Sequence, residues 1–598
     1  MAVVGAVEPR LVPFGIPAGN MTSLPVALDT SALQTSSQIL QIIDRYRMVS
    51  SPSIDSRADE SALKFLALTY THVRAERPVP LCLPAFPFKS PNSTSKVLGN
   101  LPDKAEEFAL ARLNGLCQAI GDVYSPGAKL TIISDGLVYN DLLGVPDKDV
   151  WAYGETLREL ALTKGFKHIS FSRLRDLVNI ELPTELNEMT YVANASNFRR
   201  ALLNSFSRQD WSWEEARQSE DVCMTYRGYI KFLQLDLENA FANAVRQKYI
   251  NHIRLSIHPS TGVSKLSLNL LPTDTFYTTP WHSTIAFHAR WYYHHRPTSR
   301  LELVYENGRP SYYREKSSLL SWAEEKGGIT CDPIYPAGLT IRPTKGWGAL
   351  TMDDIDVKKV RALSEINSPI ILRGFVKKPE KEAFIKKAYD FGEPLPWKFG
   401  LLLEVKDRGA DTRGLNNVLS AEWMPFHYDG LFKTVKQIDE ATNQEVLVST
   451  PLTTPSDTGF TLFSSSTLLF KYLPSWLSVE KLSTMKWTVS TSSFNATTLK
   501  GLPLVVNHPT TGKPCLRYHE PWPQSKTAFD ATSVTIDDND ESTAICDAIT
   551  ALLHDRRVAF HHVWEKGDLL VNDNILMMHT RSDFTAGSDR ELWRIHFD

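Results

Sequence analysis

The chain has 598 residues, 42% of them hydrophobic and 10% aromatic, enough for large cores, and its length sets a prior of about three or four domains. Its 65 basic and 68 acidic residues leave a net charge of -3 with no long block of either sign, which argues against a nucleic-acid partner. No stretch approaches the ~20 apolar residues that span a bilayer, and the apolar opening lacks a basic leader and is cut by Glu8, Pro9 and Arg10, so neither a membrane segment nor a signal peptide is expected.

Residues 1–34, rich in Pro, Gly and Ala, read as a loose arm. The first helical pattern is "SSQILQIIDRYRM", with Ile39, Ile42, Ile43 and Tyr46 on one face and Ser36 or Ser37 as the cap. From there to about residue 328 strand and helix patterns alternate, "AKLTIISDG" as a strand running into a turn and "TLRELALTKGF" as a helix ended by Gly165, which reads as α/β. Residues 329–345 dissolve into Gly, Pro and short polar pieces, the texture of a linker. From 346 to 598, "SPIILRGFV", "GFTLFSSSTLLF", "KWTVSTSS", "LVVNHP" and "LWRIHFD" are β-branched and aromatic runs, the texture of a sandwich or double-stranded β-helix. The halves share no repeat, so two different domains are expected. Six scattered cysteines without C-x-x-C read as reduced thiols of a cytoplasmic protein.

In "EWMPFHYDGLF", His427 and Asp429 stand two apart on a strand-like stretch and so share a side; His579 follows a later apolar strand in "LLVNDNILMMHTRSDF". Two histidines and a carboxylate make a facial triad suited to Fe(II) oxygen chemistry. H-x-D alone is cheap, and the bland reading is a surface strand. Its C-terminal company raises it: Arg590 follows His579, and Arg594 lies in the last strand. This pattern resembles the taurine dioxygenase family of Fe(II)/2-oxoglutarate oxygenases over residues ~340 to 598. The resemblance implies a double-stranded β-helix (jelly-roll) with flanking helices, His427, Asp429 and His579 as iron ligands, and Thr461, Arg590 and Arg594 at the 2-oxoglutarate site, with O2 as co-substrate. Where the family often carries "WDNR" before the distal histidine, this chain has Asn572-Asp573-Asn574-Ile575, a departure in a supporting segment.

In the first half, "FPFKSPN" holds Lys89 between Pro87 and Pro91, which restrict the backbone and suit the display of a cation; the bland reading is a surface turn ending a strand. The blocks "PAFPFKSPN", "ISDGLVYNDLLGVPD", "YRGYIKFLQLDL", "RLSIHPSTGVSKLSLNLLP" and "TPWHSTIAF" resemble, in order, the isocyanide synthase family, also called the pyoverdine/dityrosine biosynthesis family. That resemblance implies a Rossmann-like α/β domain joining an amino acid to ribulose 5-phosphate, whose C2 becomes the isocyanide carbon. Lys89, Arg227, Lys231, Arg254 and Lys265 are the cations inside these blocks, for a phosphate and a carboxylate; Asp135, His258 and His282 are the proton-transfer candidates. Arg254 and His258 lie an even four apart on an expected strand ended by Pro259. Arg227 and Lys231 equally fit a solvated helical face, Asp135-Gly136 a simple turn, and "PWH" an aromatic corner. Phe86, Phe88, Tyr139, Phe276, Tyr277 and Trp281 either line an aromatic pocket or fill a core.

The fusion is similar to the enzymes of xanthocillin-type fungal biosynthesis. It implies two steps on one molecule, an amino acid (tyrosine first, then tryptophan and valine) to its α-isocyanide, then oxidative decarboxylation to a vinyl isocyanide. Small-molecule substrates are the expected partners, with downstream enzymes an open class. Isocyanides bind copper well, which suggests a link to metal handling. Two alternatives stay open: an N-formyl amino acid synthase for dityrosine-like wall material, and a synthase with a regulatory or inactive oxygenase half.

Overall fold

The computed structural model describes residues 29–48, 58–134, 136–182, 185–207, 226–257, 265–271, 279–287, 292–294, 299–396, 400–409, 411, 416–432, 446–451, 459–586 and 591–597. It divides into two compact units, Arg10–Glu315 and Lys316–Asp598.

The first unit is built on a parallel sheet of β1 (Val79–Pro84), β2 (Ala128–Ile133), β3 (Ile169–Ser172), β4 (Ile253–Ser256) and β5 (Leu266–Ser267), in the order β3-β2-β1-β4-β5. The strands are apolar along most of their length because helices cover them: Leu81, Leu83, Leu130, Ile132 and Ile253 are all buried. The helix Lys104–Val123 connects β1 to β2, Asp147–Thr163 connects β2 to β3, and Glu188–Phe206 and Tyr226–Lys248 precede β4. The chain moves outward from β1 to β3 and then crosses back to β4, so the strand order reverses beside β1. In open parallel sheets such a reversal opens a crevice at the strands' carboxyl ends. A second sheet holds β6 (Thr284–Phe287), β7 (Tyr292–His294), β8 (Leu301–Glu306) and β9 (Arg309–Glu315), in the order β7-β6-β9-β8.

The first helix corrects the expected cap. It spans Thr30–Arg45, and Asp29 caps it by accepting from the Ala32 N–H at 3.0 Å. Ser36 lies inside the helix, its hydroxyl donating back to the Ala32 carbonyl at 2.6 Å. A helix that starts at Thr30 also shortens the expected arm. The face of Ile39, Ile42, Ile43 and Tyr46 is buried as its periodicity requires.

The second unit carries a seven-stranded sheet of β10 (Ile329–Pro333), β11 (Leu339–Pro343), β12 (Ile370–Leu372), β13 (Leu403–Lys406), β14 (Val446–Pro451), β22 (Leu569–Asp573) and β24 (Glu591–Phe597), ordered β10-β11-β12-β22-β14-β24-β13. A three-stranded sheet runs β21-β15-β23, from Ala559–His562, Thr461–Ser465 and Met577–Arg581. Lesser sheets pair β16 (Lys486–Thr491) with β17 (Thr498–Pro503) and β20 (Thr532–Ile536), and β18 (Val505–Asn507) with β19 (Pro514–Leu516).

The expected linker at 329–345 is therefore an antiparallel hairpin of the large sheet, and the units divide at Glu315/Lys316. Gly and Pro do cluster there, but they bound two short strands rather than a free connection. At Gly338, with φ at +106°, an added Cβ would come within 2.9 Å of the Pro369 carbonyl, so the turn admits only glycine. In "TLFSSSTLLFK" only the first part is strand; Ser465 caps a helix over Ser466–Lys471.

Candidate active sites

At the reversal point of the first unit lies a cavity of about 700 Å³. Pro84 at the end of β1, Ala85 after it, Ile133 at the end of β2 and Arg254 to Ile257 around β4 line it, together with Phe88, Tyr139, the helix Tyr226–Lys248, Lys265, Trp281 and His282 among others. Leu255 pairs with Leu266 in parallel register, which sets Arg254 beside Lys265. Burial lowers both pKa values; the Arg246 charge depresses Arg254 further, and the Arg254 charge depresses Lys265. A cavity that crowds cations in this way is built for anions.

Of the candidates from sequence, Arg254, Lys265 and His282 meet in this cavity. His282 sits on the short turn Pro280–His282, its Nδ1 2.9 Å from the Thr279 hydroxyl. Asp135 and His258 lie outside the described residues. Arg227 and Lys231 lie on the helix Tyr226–Lys248, at positions whose side chains are likewise outside the description. Phe88, Tyr139 and Trp281 line the cavity. Phe86 is fully buried at φ +58° and packs edge-on against Trp281 at 5.0 Å; Phe276 and Tyr277 fall outside the described residues. Gly136 leaves room for Phe88: a Cβ there would lie 2.2 Å from the Phe88 ring.

Lys89 does not reach the cavity, a correction to its expected catalytic place. It is buried, with Nζ 2.8 Å from Asp103, 2.7 Å from Glu106 and donating to the Pro280 carbonyl at 3.0 Å. Asp103 and Glu106 form the capping box of the helix Lys104–Val123, so Lys89 ties that helix start to the turn that carries His282. Burial alone would lower the Lys89 pKa, but the two carboxylates outweigh it and raise it, which keeps the ammonium charged. Burial raises Glu106 to about 8 against the pull of Lys89. The prolines of "FPFKSPN" do fix the lysine; they aim it inward.

In the second unit, His427 bridges to His579 on β23 in an antiparallel β-bridge, and the Asp429 backbone follows two residues on. The ligand atoms of His427, Asp429 and His579 lie within 4.8 Å of one another. His427 Nδ1 is 2.9 Å from the Pro425 carbonyl; donating there leaves Nε2 with a free lone pair. Burial, then the neighbouring His579, pushes His427 down to about 3, so the ring stays neutral, as a metal ligand must. Although burial would raise Asp429, Arg594 and then His579 and His596 hold it well below the usual carboxylate range. His579 Nε2 lies 3.1 Å from Asp429 Oδ2, and its Nδ1 is buried without a hydrogen bond among the described residues, costly for a polar atom left unpaired. This donor set, with Arg594 already paired to Asp429 Oδ2, fits Fe(II).

Two cavities flank the triad. One of about 50 Å³ holds Thr461, Trp564, Arg581 and Arg594 beside His427 and His579; the Trp564 indole donates to the Thr461 hydroxyl at 2.8 Å. Thr461 pairs with Arg581 across β15 and β23, two residues along from the Phe463–His579 pair, so it faces the same side as the histidine. Arg590 lies outside the described residues. The other cavity, of about 100 Å³, is walled by Met424, Leu431, Phe432, Tyr428, His519 and Arg594 among others. Sequence reasoning missed Asn574, whose side chain accepts from the Asp429 N–H at 2.9 Å and donates to the Asp429 carbonyl at 3.0 Å. It also missed Glu238, which lines the first cavity with Ala242 and Arg246 from one face of the helix Tyr226–Lys248.

Residues 69–240 and 237–304 match the family model "Pyoverdine/dityrosine biosynthesis protein", and residues 341–596 match "Taurine catabolism dioxygenase TauD, TfdA family". The chain is 40% identical to the isocyanide synthase xanB of Aspergillus fumigatus, over 94% of this chain and 80% of that protein. It is 37% identical to isocyanide synthase A of the same species, over 94% of this chain and 97% of that protein. Over 43% of its length the chain is 24% identical to a tyrosine isonitrile desaturase of Pseudomonas aeruginosa, covering 86% of that protein. The chain belongs to the fused isocyanide synthases, in which a pyoverdine/dityrosine biosynthesis domain precedes a TauD-type oxygenase domain.

Proposed function

We propose that the first unit condenses an L-amino acid, tyrosine first, with ribulose 5-phosphate to give the α-isocyano acid, and that the second unit desaturates and decarboxylates it to the vinyl isocyanide. The cationic cavity at the carboxyl end of the first sheet supports the first step: Arg246, Arg254 and Lys265 suit a phosphate and a carboxylate, and His282 stands among them for proton transfer. In the second step the substrate gives up two electrons, a β-hydrogen and CO2. Bound Fe(II) with 2-oxoglutarate would supply the activation of O2, one oxygen atom of which ends in succinate as 2-oxoglutarate loses CO2 and the other in water. His427, Asp429 and His579 would hold the metal, Thr461 and Arg590 the far carboxylate of 2-oxoglutarate, and Arg594 the charge balance at Asp429. Met424, Leu431 and Phe432 exclude water from the larger cavity beside the triad. The sheet order β3-β2-β1-β4-β5 supports a Rossmann-like first domain, and the two facing strand sets around His427 and His579 support a double-stranded β-helix.

The single observation that carries this reading is the His427–Asp429–His579 cluster in one chain with a synthase-type anion cavity. A His427→Ala variant tests it. It is expected to accumulate the α-isocyano acid with no vinyl isocyanide, whereas unchanged product would refute the second step.

A further inference from the structure

Resting on that reading of the first reaction, the geometry points to Glu238 as the group that receives the α-ammonium of the amino-acid substrate, opposite a three-cation pole that takes its carboxylate and the sugar phosphate. The argument is one of charge sorting. Among the described residues that line the cavity, Glu238 is the sole carboxylate, while Arg246, Arg254 and Lys265 are cations. The two substrates present the mirror image of that set: one ammonium, one carboxylate and one phosphate.

The charges are also sorted in space. Arg254 and Lys265 stand side by side on β4 and just before β5, and Arg246 acts on Arg254 from the last turn of the helix Tyr226–Lys248. Glu238 lies eight residues earlier on that helix, about 12 Å along its axis at the rise of an α-helix. Its charge acts on Tyr139, another residue of the cavity wall. Burial and that charge push the Tyr139 hydroxyl up to about 12, so it stays a donor beside the carboxylate. An amino acid whose nitrogen must add to a sugar carbonyl therefore meets one acceptor end and one cationic end, and the order of the two fixes which way round it binds.

The test is a chemical double-mutant cycle in the full chain. Dissociation constants are measured by calorimetry, each ligand alone so that no turnover occurs, for L-tyrosine, for its des-amino analogue, 3-(4-hydroxyphenyl)propanoate, and for ribulose 5-phosphate, in wild type, Glu238→Gln and Glu238→Asp. A charge-assisted hydrogen bond of ordinary strength predicts that wild type prefers tyrosine over the analogue by about 10- to 100-fold. Glu238→Gln should erase most of that preference while binding the analogue and ribulose 5-phosphate as wild type does, and Glu238→Asp should restore part of it. Retention of the full preference in Glu238→Gln, or equal weakening of all three ligands, would overturn the assignment. Whether the reaction itself occurs is read separately, from ribulose 5-phosphate consumption by the wild-type chain, so the two failures are distinguishable.

Discussion

Asn574→Ala is expected to loosen the iron site without touching a ligand. The Asn574 side chain holds the Asp429 backbone by two hydrogen bonds, 2.9 Å to its N–H and 3.0 Å to its carbonyl, and both residues are buried. Arg517 in turn donates to the Asn574 carbonyl at 2.8 Å, and Asp573 accepts from the Ile575 and Leu576 N–H groups, so the turn before β23 is itself fixed. Truncation strands one donor and one acceptor in a buried place, each costing about 1–3 kcal/mol if no water enters, or about 2–4 kcal/mol for the pair after partial relaxation. Loss of a supporting partner costs metal sites about 10- to 100-fold in affinity or activity. The assay is Fe(II) affinity by chelator competition on the full-length variant, together with vinyl isocyanide formation, with α-isocyano acid formation as the internal control. Asn574→Asp keeps the acceptor for the Asp429 N–H but not the donor, and should fall between wild type and alanine or below both. Wild-type Fe(II) affinity and wild-type desaturation in Asn574→Ala would refute the reasoning.

Other consequences follow from buried charge and close packing. Lys89→Met leaves Asp103 and Glu106 without their cation and should destabilise the first unit by about 3–5 kcal/mol, seen in a urea melt as loss of synthase activity at a lower midpoint than desaturase activity. Arg373 binds Asp568 through two bonds of 2.7 Å, and Asp568 is held below its usual pKa by His562 and Arg373 against burial. That stabilisation is present above the unfolded carboxylate pKa of about 3.9 and is lost as pH falls through the depressed native value. The stability gap between wild type and Arg373→Ala should therefore be large at pH 7 and shrink below about pH 3.9; a gap independent of pH would contradict it. Gly136→Ala must displace the Phe88 ring from the cavity wall and should lower isocyanide formation several-fold while desaturation of supplied isocyano acid is unchanged.

That His427, Asp429 and His579 gather was legible because the parts are few and their chemistry is narrow, an H-x-D and a late histidine, although His427 makes an isolated bridge and Asp429 lies in a turn rather than on a strand. The parallel sheet was legible from apolar runs alternating with helical periods. What sequence reading missed follows from what it does not carry. Pattern fixes the rigidity around Lys89 but not its direction, and the partners that turn it inward stand in a D-K-A-E capping box that announces a helix start rather than an ion pair. The β10–β11 hairpin was read as linker because its strands are five residues each and framed by Gly and Pro, a composition that short edge strands and connections share. Asn574 lies in a segment that departs from the family motif at Asn572 and Ile575, and its amide is what holds the Asp429 backbone. Glu238 lies in no motif that suggests chemistry, and only the cavity gives it a role.

The most direct test of the two-step account gives the purified full-length chain L-tyrosine, ribulose 5-phosphate labelled with 13C at C2, Fe(II), ascorbate and air, with and without 2-oxoglutarate, and follows the products by mass spectrometry. The account predicts a singly labelled α-isocyano acid that accumulates without 2-oxoglutarate and becomes a decarboxylated vinyl isocyanide, still singly labelled, when it is present. An unlabelled product, or the same product in both arms, would contradict it.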